Sequence, residues 1–453
     1  MNGAKAPLLQ ERVKSVSPAR AVAWRALLKG GDAAGALDRE SRAAHLDPRD
    51  RRLATELAHG TLKRRRSLEW ALQKHLRRPF AELDRGLQWA LLLGAYQLLY
   101  LDRVPAHSAV NESVALARAG GHAGTAAVAN AILRKLALAR VYPPKPQADD
   151  PPSVLGLYAS LPDWLAEHFI ERFGFDSALQ IADAINATPR RALRVDTATT
   201  SMEDAKAALL REGVAVAEGK YGIPECLIVE DGIAEETLII QSEESQLAVH
   251  LLAPKAGETI LDACAGRGVK TGMIAARLGG KGTIYAIDDD ERKLEHVRRL
   301  AAKSTTPIVA MRADAKEPYP DAVPQELDAA LVDAPCSGIG IIGRRADARW
   351  RKKADDPIRF SSIQQAILER AAERVAPRGR LLYATCSTHP AEDEDVVTAF
   401  LAHHPDWSAS SLEGWAAKTE SARALGPYLL TVPGVDGNDG FFYALLEKKR
   451  DDG

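Results

Sequence analysis

The spacing of apolar residues changes character along the chain. Between residues 18 and 140 they recur three and four apart, which predicts helices over 18–28, 50–75, 82–101, 106–119 and 125–139, the last two split by Gly120-Gly121. The stretch 141–152 holds five prolines in twelve residues, too many to continue a helix, and reads as an extended spacer. Beyond it the pattern mixes: a helical stretch from 160, short strands around 191–196, 214 and 227–230, and a helix over 202–212. From 241 onward strand-like apolar runs at 259–263, 283–287, 308–312, 329–332 and 380–385 alternate with helical segments, the signature of a parallel, doubly wound sheet. The expected architecture is multidomain: an all-α domain over 10–142, a proline-rich linker over 143–159, a small α+β subdomain over 160–240 and a Rossmann-like α/β domain over 241–450.

Composition narrows the class. The chain has 453 residues, 46% of them apolar and 27% charged, an ordinary globular balance that excludes collagen, disorder and a membrane channel. Its four cysteines, Cys226, Cys264, Cys336 and Cys386, are too scattered for a disulfide framework or a cysteine-rich zinc site. A reducing, cytoplasmic setting is expected. The N-terminal fifteen residues lack an apolar stretch, and the greasiest segment, 89–101, falls short of the roughly 20 residues that span a bilayer, so no signal peptide and no transmembrane helix are expected.

The net charge of −1 hides an asymmetry. Residues 1–140 carry 24 basic and 12 acidic side chains, a net of +12, leaving −13 for the rest. The basic residues include Arg49, Arg51, Arg52, the run Lys63, Arg64, Arg65 and Arg66, and the pair Arg77-Arg78. On one face they would neutralise a polyanion by counterion release; as a solvated helix surface they would need no partner.

In an open parallel sheet, ligands bind outside the C-terminal ends of the strands, so the residues there carry the chemistry. The first strand ends in Leu261-Asp-Ala-Cys-Ala-Gly-Arg-Gly-Val-Lys-Thr271, a glycine-containing turn into a helix whose free N–H groups face outward. It is neither a G-x-G-x-x-G nor a phosphate-loop pattern, and alone it is either a cofactor loop or a plain turn. Asp288 ends the second strand some twenty residues on, where a carboxylate accepts ribose hydroxyls, and Asp314 follows the third. The fourth strand runs into Val332-Asp-Ala-Pro-Cys-Ser-Gly338 and the fifth into Tyr383-Ala-Thr-Cys-Ser387, placing two of the four cysteines at neighbouring strand ends. A single buried cysteine is usually a small core hydrophobe; two at adjacent strand ends point to chemistry.

These motifs, DACAGRGVKT, AIDDDERK, DAPCSG, YATCS and the closing PGVDGNDGFFYALLEK, resemble the NOL1/NOP2/Sun family of S-adenosylmethionine-dependent RNA cytosine-5 methyltransferases. Upstream, Pro105-Ala-His-Ser-Ala-Val-Asn-Glu112 and Val128-Ala-Asn-Ala-Ile-Leu-Arg134 resemble a NusB-like RNA-binding domain. The resemblance implies Cys386 as the nucleophile on carbon 6 of a cytosine, Cys336 as the group that assists release, and Asp333 at the pyrimidine edge. It further implies that Cys264, Ala265, Gly266, Arg267, Gly268, Val269 and Lys270 wrap the methionine end of S-adenosylmethionine. Asp288 would hold the ribose, Asp314 would lie by the adenine, and Asp333 would border the same pocket.

The implied substrate is an unstacked cytosine in small-subunit (16S) ribosomal RNA, with Lys63, Arg64, Arg65, Arg66 and Arg194 as RNA contacts, no metal, no membrane and a monomeric enzyme. Three positions of the loop depart from the family's C-A-A-P-G-G-K: Gly266, Arg267 and Val269 replace alanine, proline and glycine. The family's R-V-N element reads Arg194-Val195-Asp196. Two other readings compete. An amino-group methyltransferase needs an aromatic clamp after the fourth strand, where this chain has DAPC. A non-enzymatic RNA-binding assembly factor would not need Lys270, Asp333, Cys336 and Cys386 intact.

Overall fold

The computed structural model describes residues 16–122, 124–232 and 238–450. The N-terminal segment expected to carry no signal, and the expected start of the first domain at residue 10, lie outside the described residues. The chain forms two compact units: Met1–Asn186 with Arg345–Arg351, and Ala187–Arg344 with Lys352–Gly453.

The first unit is helical. Its central helix, Arg85–Tyr100, buries thirteen of sixteen residues, which is why this segment is the greasiest of the chain without spanning a membrane. Among the described residues no helix is long and apolar enough to do so. The helices Pro18–Lys29, Ala106–Gly120 and Thr125–Ala139 pack against it. Trp24 is fully buried, and its indole N–H donates to Gly86 O at 3.1 Å.

The expected helix over 50–75 is two, Pro48–Lys63 and Arg65–Gln73, because Arg64 leaves helical geometry (φ −102°, ψ 9°). Ala33–Ala43 is a helix that the apolar spacing did not reveal, for Leu37 is its one large apolar residue. The expected spacer also differs: Pro152 sits in the first turn of a helix, Pro152–Ala159, where its missing N–H is not needed. This helix packs on Asp163–Phe173, which packs on Phe175–Ala184, so the helical start of the expected 160–240 subdomain groups with the first unit.

Arg349, in the Arg345–Arg351 segment, has no exposed surface. Its Nη1 donates to Lys63 O and Asn186 Oδ1, both at 3.0 Å, and Trp350 Nε1 donates to Leu62 O at 2.8 Å. The guanidinium thus gathers the carbonyl ends of helices, where the negative end of the helix dipole favours a cation. Burial still pushes its pKa down to about 9.

The second unit holds two sheets. β1 (Arg191–Arg194), β2 (Ala215–Glu218), β3 (Cys226–Asp231) and β4 (Ile239–Ile240) form an antiparallel sheet in the order β2-β3-β1-β4, with the helix Met202–Arg211 between β1 and β2. The large sheet contains β5 (Thr259–Asp262), β6 (Thr283–Asp288), β7 (Ile308–Arg312), β8 (Leu327–Asp333), β9 (Val375–Thr385), β10 (Trp407–Ser410), β11 (Ala422–Leu425), β12 (Tyr428–Thr431) and β13 (Phe442–Lys448).

Its order is β11-β12-β13-β9-β8-β5-β6-β7, with β10 also on β13. The five expected strands, β5 to β9, pair in parallel; β5, β6, β8 and β9 send apolar residues into the core, while the outermost, β7, has no buried residue. The sheet is mixed rather than wholly parallel, since β13 pairs antiparallel with β9, β12 and β10.

Candidate active site

The order of the parallel strands places four strand ends side by side. β5 delivers the loop from Asp262 to Gly268, and this loop turns into the helix Val269–Leu278 through left-handed backbone at Gly266 (φ 57°) and Gly268 (φ 81°). The left-handed backbone at Gly268 favours glycine, and a Cβ there would also sit tightly, 3.2 Å from Val297 Cγ2. Asp288, at the end of β6, accepts from the Gly266 N–H at 2.9 Å and forms an ion pair with Lys293 at 3.0 Å, tying two strand ends together. Asp314, after β7, is exposed and ion-paired with Lys316 at 3.1 Å. Arg267 is exposed, Ala265 is buried and Cys264 is half-buried, with burial pushing its thiol well above the usual range.

Val269, the β-branched departure from the family loop, occupies the first helical position and is 39% exposed. Its carbonyl accepts from Arg194 Nη1 at 2.5 Å, and the same nitrogen donates to Gln241 Oε1 at 2.9 Å. Arg194 is 4% exposed, with a pKa lowered to about 10 by burial. It therefore braces the loop from behind through the Val269 carbonyl.

The run of four basic residues is engaged within the first unit, with Lys63 buried and Arg64, Arg65 and Arg66 keeping part of their surface exposed. Lys63 is buried; Arg64 stacks over Tyr100, 4.8 Å from the ring centre; Arg65 pairs with Glu69 at 2.8 Å and lies over Trp89 and Trp350; Arg66 donates to Leu161 O and Asp163, both at 2.6 Å. Read as one helix face, the run looked free to meet a polyanion. The bend at Arg64 brings the run against rings and carbonyls while Arg64, Arg65 and Arg66 stay partly exposed. Arg49, Arg51, Arg52, Arg77 and Arg78 are the exposed members of the basic set.

β8 and β9 run in parallel with Asp333 opposite Ala384, so the segments that follow them emerge together. Cys336 and Cys386 meet there, Sγ to Sγ 3.1 Å. The hydrogen bond from the neighbouring thiol, then burial and nearby negative charge, push Cys336 well above the usual thiol range. Asp333 accepts from Lys270 Nζ at 2.5 Å, and Lys270 also lies 5.8 Å over the Phe441 ring. The two loops that close around the thiols meet backbone to backbone: a Cβ at Gly340 would collide with Gly440 O. All the expected catalytic residues and the loop thus converge on one edge of the large sheet.

Asp262 escaped the sequence reading. It is 1% exposed, takes a hydrogen bond from Thr271 Oγ1 at 2.7 Å on one oxygen, and has no partner on the other among the described residues. Burial pushes its carboxyl up to about 6, with the charges of Asp333 and Asp288 adding to the effect. The unpartnered oxygen is itself closed off from solvent, so the carboxylate sits behind the loop rather than in an open cleft. Its position as the acid ending the first strand was the available signal.

Residues 249–447 match the family model of the 16S rRNA methyltransferase RsmB/F, 17–138 that of the NusB family, and 161–234 that of the RsmF/B-like ferredoxin-like domain. The ferredoxin-like match straddles the division between the two compact units.

Among curated proteins the chain is 32% identical over 412 residues to a probable ribosomal RNA small subunit methyltransferase B of Bacillus subtilis, covering 89% of this chain and 92% of that one. It is 32% identical over 443 residues to ribosomal RNA small subunit methyltransferase B of Vibrio cholerae, covering 95% and 97%. The crystal structure of PH0851 shares the fold at TM-score 0.77 and 24% identity, over 96% of this chain and 99% of that one. A methyltransferase homolog from Pyrococcus horikoshii matches at TM-score 0.55 and 25% identity, over 65% and 97%. With a NusB domain, a ferredoxin-like domain and a catalytic domain in that order, and a relative above 30% identity along nearly the whole length, this chain belongs to the RsmB/F family of 16S rRNA methyltransferases.

Proposed function

We propose that the protein transfers a methyl group from S-adenosylmethionine to carbon 5 of a cytosine in 16S ribosomal RNA, through a covalent adduct on Cys386 that Cys336 helps to release. The observation that carries this reading is the pair of sulfurs 3.1 Å apart at the ends of two parallel neighbouring strands, beside Asp333. A pair on one face of a substrate base suits two steps that must share a target, addition and release. Lone core cysteines would have no reason to meet there.

Carbon 5 of cytosine is a poor nucleophile, and covalent catalysis divides the problem. Cys386 Sγ adds to carbon 6 as a thiolate, which turns carbon 5 into the nucleophilic end of an enamine. Asp333 at the pyrimidine edge favours a proton on ring nitrogen 3 as charge builds there, and Lys270 holds that carboxylate in place. S-adenosylmethionine supplies an electrophilic methyl group. Cys336, held as a thiol in its resting state, accepts the carbon 5 proton once its own proton has passed to solvent, so that the Cys386–carbon 6 bond breaks and the product leaves.

The residues fit the methyl donor. The loop from Cys264 to Lys270 suits its methionine end, Asp288 its ribose and Asp314 its adenine. The exposed Arg49, Arg51, Arg52, Arg77 and Arg78 supply the phosphate contacts.

The test is nucleoside analysis of 16S rRNA after incubation with the methyl donor. The reading requires 5-methylcytidine from the wild type and none from Cys386→Ala. RNA binding without any methyl transfer would favour a non-enzymatic assembly factor instead.

A further inference from the structure

Behind the two thiols lies a polar cluster that the reaction as written does not use. Glu392 follows the second cysteine by six residues, in the short turn Pro390–Glu392, and has no exposed surface. One carboxylate oxygen accepts from the Ser337 N–H at 2.7 Å and from Gln364 Nε2 at 3.1 Å. The other accepts from the Ser387 hydroxyl at 2.6 Å and from the Ser337 hydroxyl. Gln364 also donates to Pro335 O at 2.9 Å. Ser337, Ser387 and Gln364 are fully buried as well.

Ser337 is the residue after Cys336, Ser387 is the residue after Cys386, and Pro335 is the residue before Cys336. A single carboxylate therefore holds both sides of the thiol pair, although each cysteine enters the site on a different strand. Among the described residues no lysine or arginine forms an ion pair with it; its negative charge is met by neutral donors alone. Burying a carboxylate this way is costly unless every donor is in place, and a simple apolar filling would hold the loops at lower cost. A fixed arrangement of the loops is what the network provides.

We propose that Glu392 is the positioning residue that sets the separation and aim of Cys336 and Cys386, acting through Ser337 and Ser387. The inference rests on the cysteine roles assigned under the proposed function. Its structural part, that Glu392 fixes the distance between the sulfurs, can be read without any methyl transfer. Phenylarsine oxide supplies that reading, because its arsenic binds two thiols only when both sulfurs reach it, releasing one water as the two As–S bonds form.

Glu392→Gln keeps the shape but removes one of the two acceptor oxygens. The expected result is a roughly tenfold weaker capture of phenylarsine oxide, since a preorganised pair becomes a loose one. With it, kcat should fall about 100-fold, the scale of a misplacement near 1 Å, while KM for S-adenosylmethionine stays within about twofold because its site does not include Glu392. Capture and kcat both within twofold of wild type overturn the proposal.

Should Glu392→Gln fail to fold, the Ser337→Ala/Ser387→Ala double variant carries the same test, with the same expected losses and the same contradicting result. Where both fold, adding the serine changes to Glu392→Gln should cost little more, since the three residues act as one unit. Weakened arsenical capture together with a wild type that makes no 5-methylcytidine would instead remove the reaction and leave the positioning role standing.

Discussion

Lys270 Nζ lies 2.5 Å from Asp333 Oδ2, so one cation joins the helix that begins at the glycine loop to the strand that leads to Cys336. The side chains are 11% and 29% exposed, so the pair is shielded enough that removing one partner leaves the other poorly compensated.

Lys270→Met should accordingly lower both functions of the site together. We expect a loss of roughly 1–3 kcal/mol in stability from the uncompensated carboxylate, and a fall in kcat because Asp333 is no longer aimed. Asp333→Asn keeps the shape and should lower kcat. Urea unfolding and steady-state methyl transfer measure the two effects separately.

The basic residues divide by what surrounds them. Replacing Arg49, Arg51 and Arg52 with alanine should weaken RNA binding and flatten its salt dependence, by roughly 0.7–0.9 in the log–log slope for each phosphate no longer neutralised. Replacing Lys63, Arg64, Arg65 and Arg66 should instead lower the melting temperature, because those side chains hold rings, carbonyls and acids inside the first unit. Salt titrations of RNA binding set beside thermal unfolding separate the sets; an unchanged slope in the first variant contradicts the assignment.

Arg349→Met should destabilise the protein by about 2–4 kcal/mol. The substitution relieves the cost of burying a charge, yet it leaves Lys63 O and the Asn186 amide oxygen without their donor in the interior. Chemical unfolding of the purified variant gives the number directly.

Much of this architecture could be read from the chain. The five parallel strands are short apolar runs ending in chemically distinctive residues, and their spacing put Asp288, Asp314, Asp333, Cys336 and Cys386 on one edge. What could not be read is whatever depends on a neighbour distant in sequence. Pro152 looked like a spacer residue because nothing local says that Asp163–Phe173 will pack against its helix. Lys63 to Arg66 looked like a free face because the bend at Arg64 and the rings of Tyr100 and Trp350 come from elsewhere. Glu392 is one acid among several in the PAEDED stretch; only the meeting of β8 with β9 gives it both serines. The antiparallel strands β10, β11 and β12 have only four residues each, which leaves little periodicity to detect.

Asp262 gives a pH signature. Its carboxyl is raised to about 6 in the folded protein, against about 3.9 in an unfolded chain. Between these values the folded state binds more protons than the unfolded one, so this group's contribution to stability falls as pH rises from about 4 to about 6, by at most about 3 kcal/mol. Asp262→Asn should remove that part of the slope and be relatively more stable above pH 6. Urea unfolding across pH 4.5–7.5 tests this, and parallel slopes for the two proteins would contradict it.

The central claim is the division of labour between two thiols 3.1 Å apart. It is tested most directly by incubating Cys336→Ala with S-adenosylmethionine and 16S rRNA and running the mixture on a denaturing gel, with the Cys336→Ala/Cys386→Ala variant alongside. The account predicts an RNA-linked protein band that accumulates in the single variant and vanishes in the double. No band in the single variant, while wild type makes 5-methylcytidine, would contradict it.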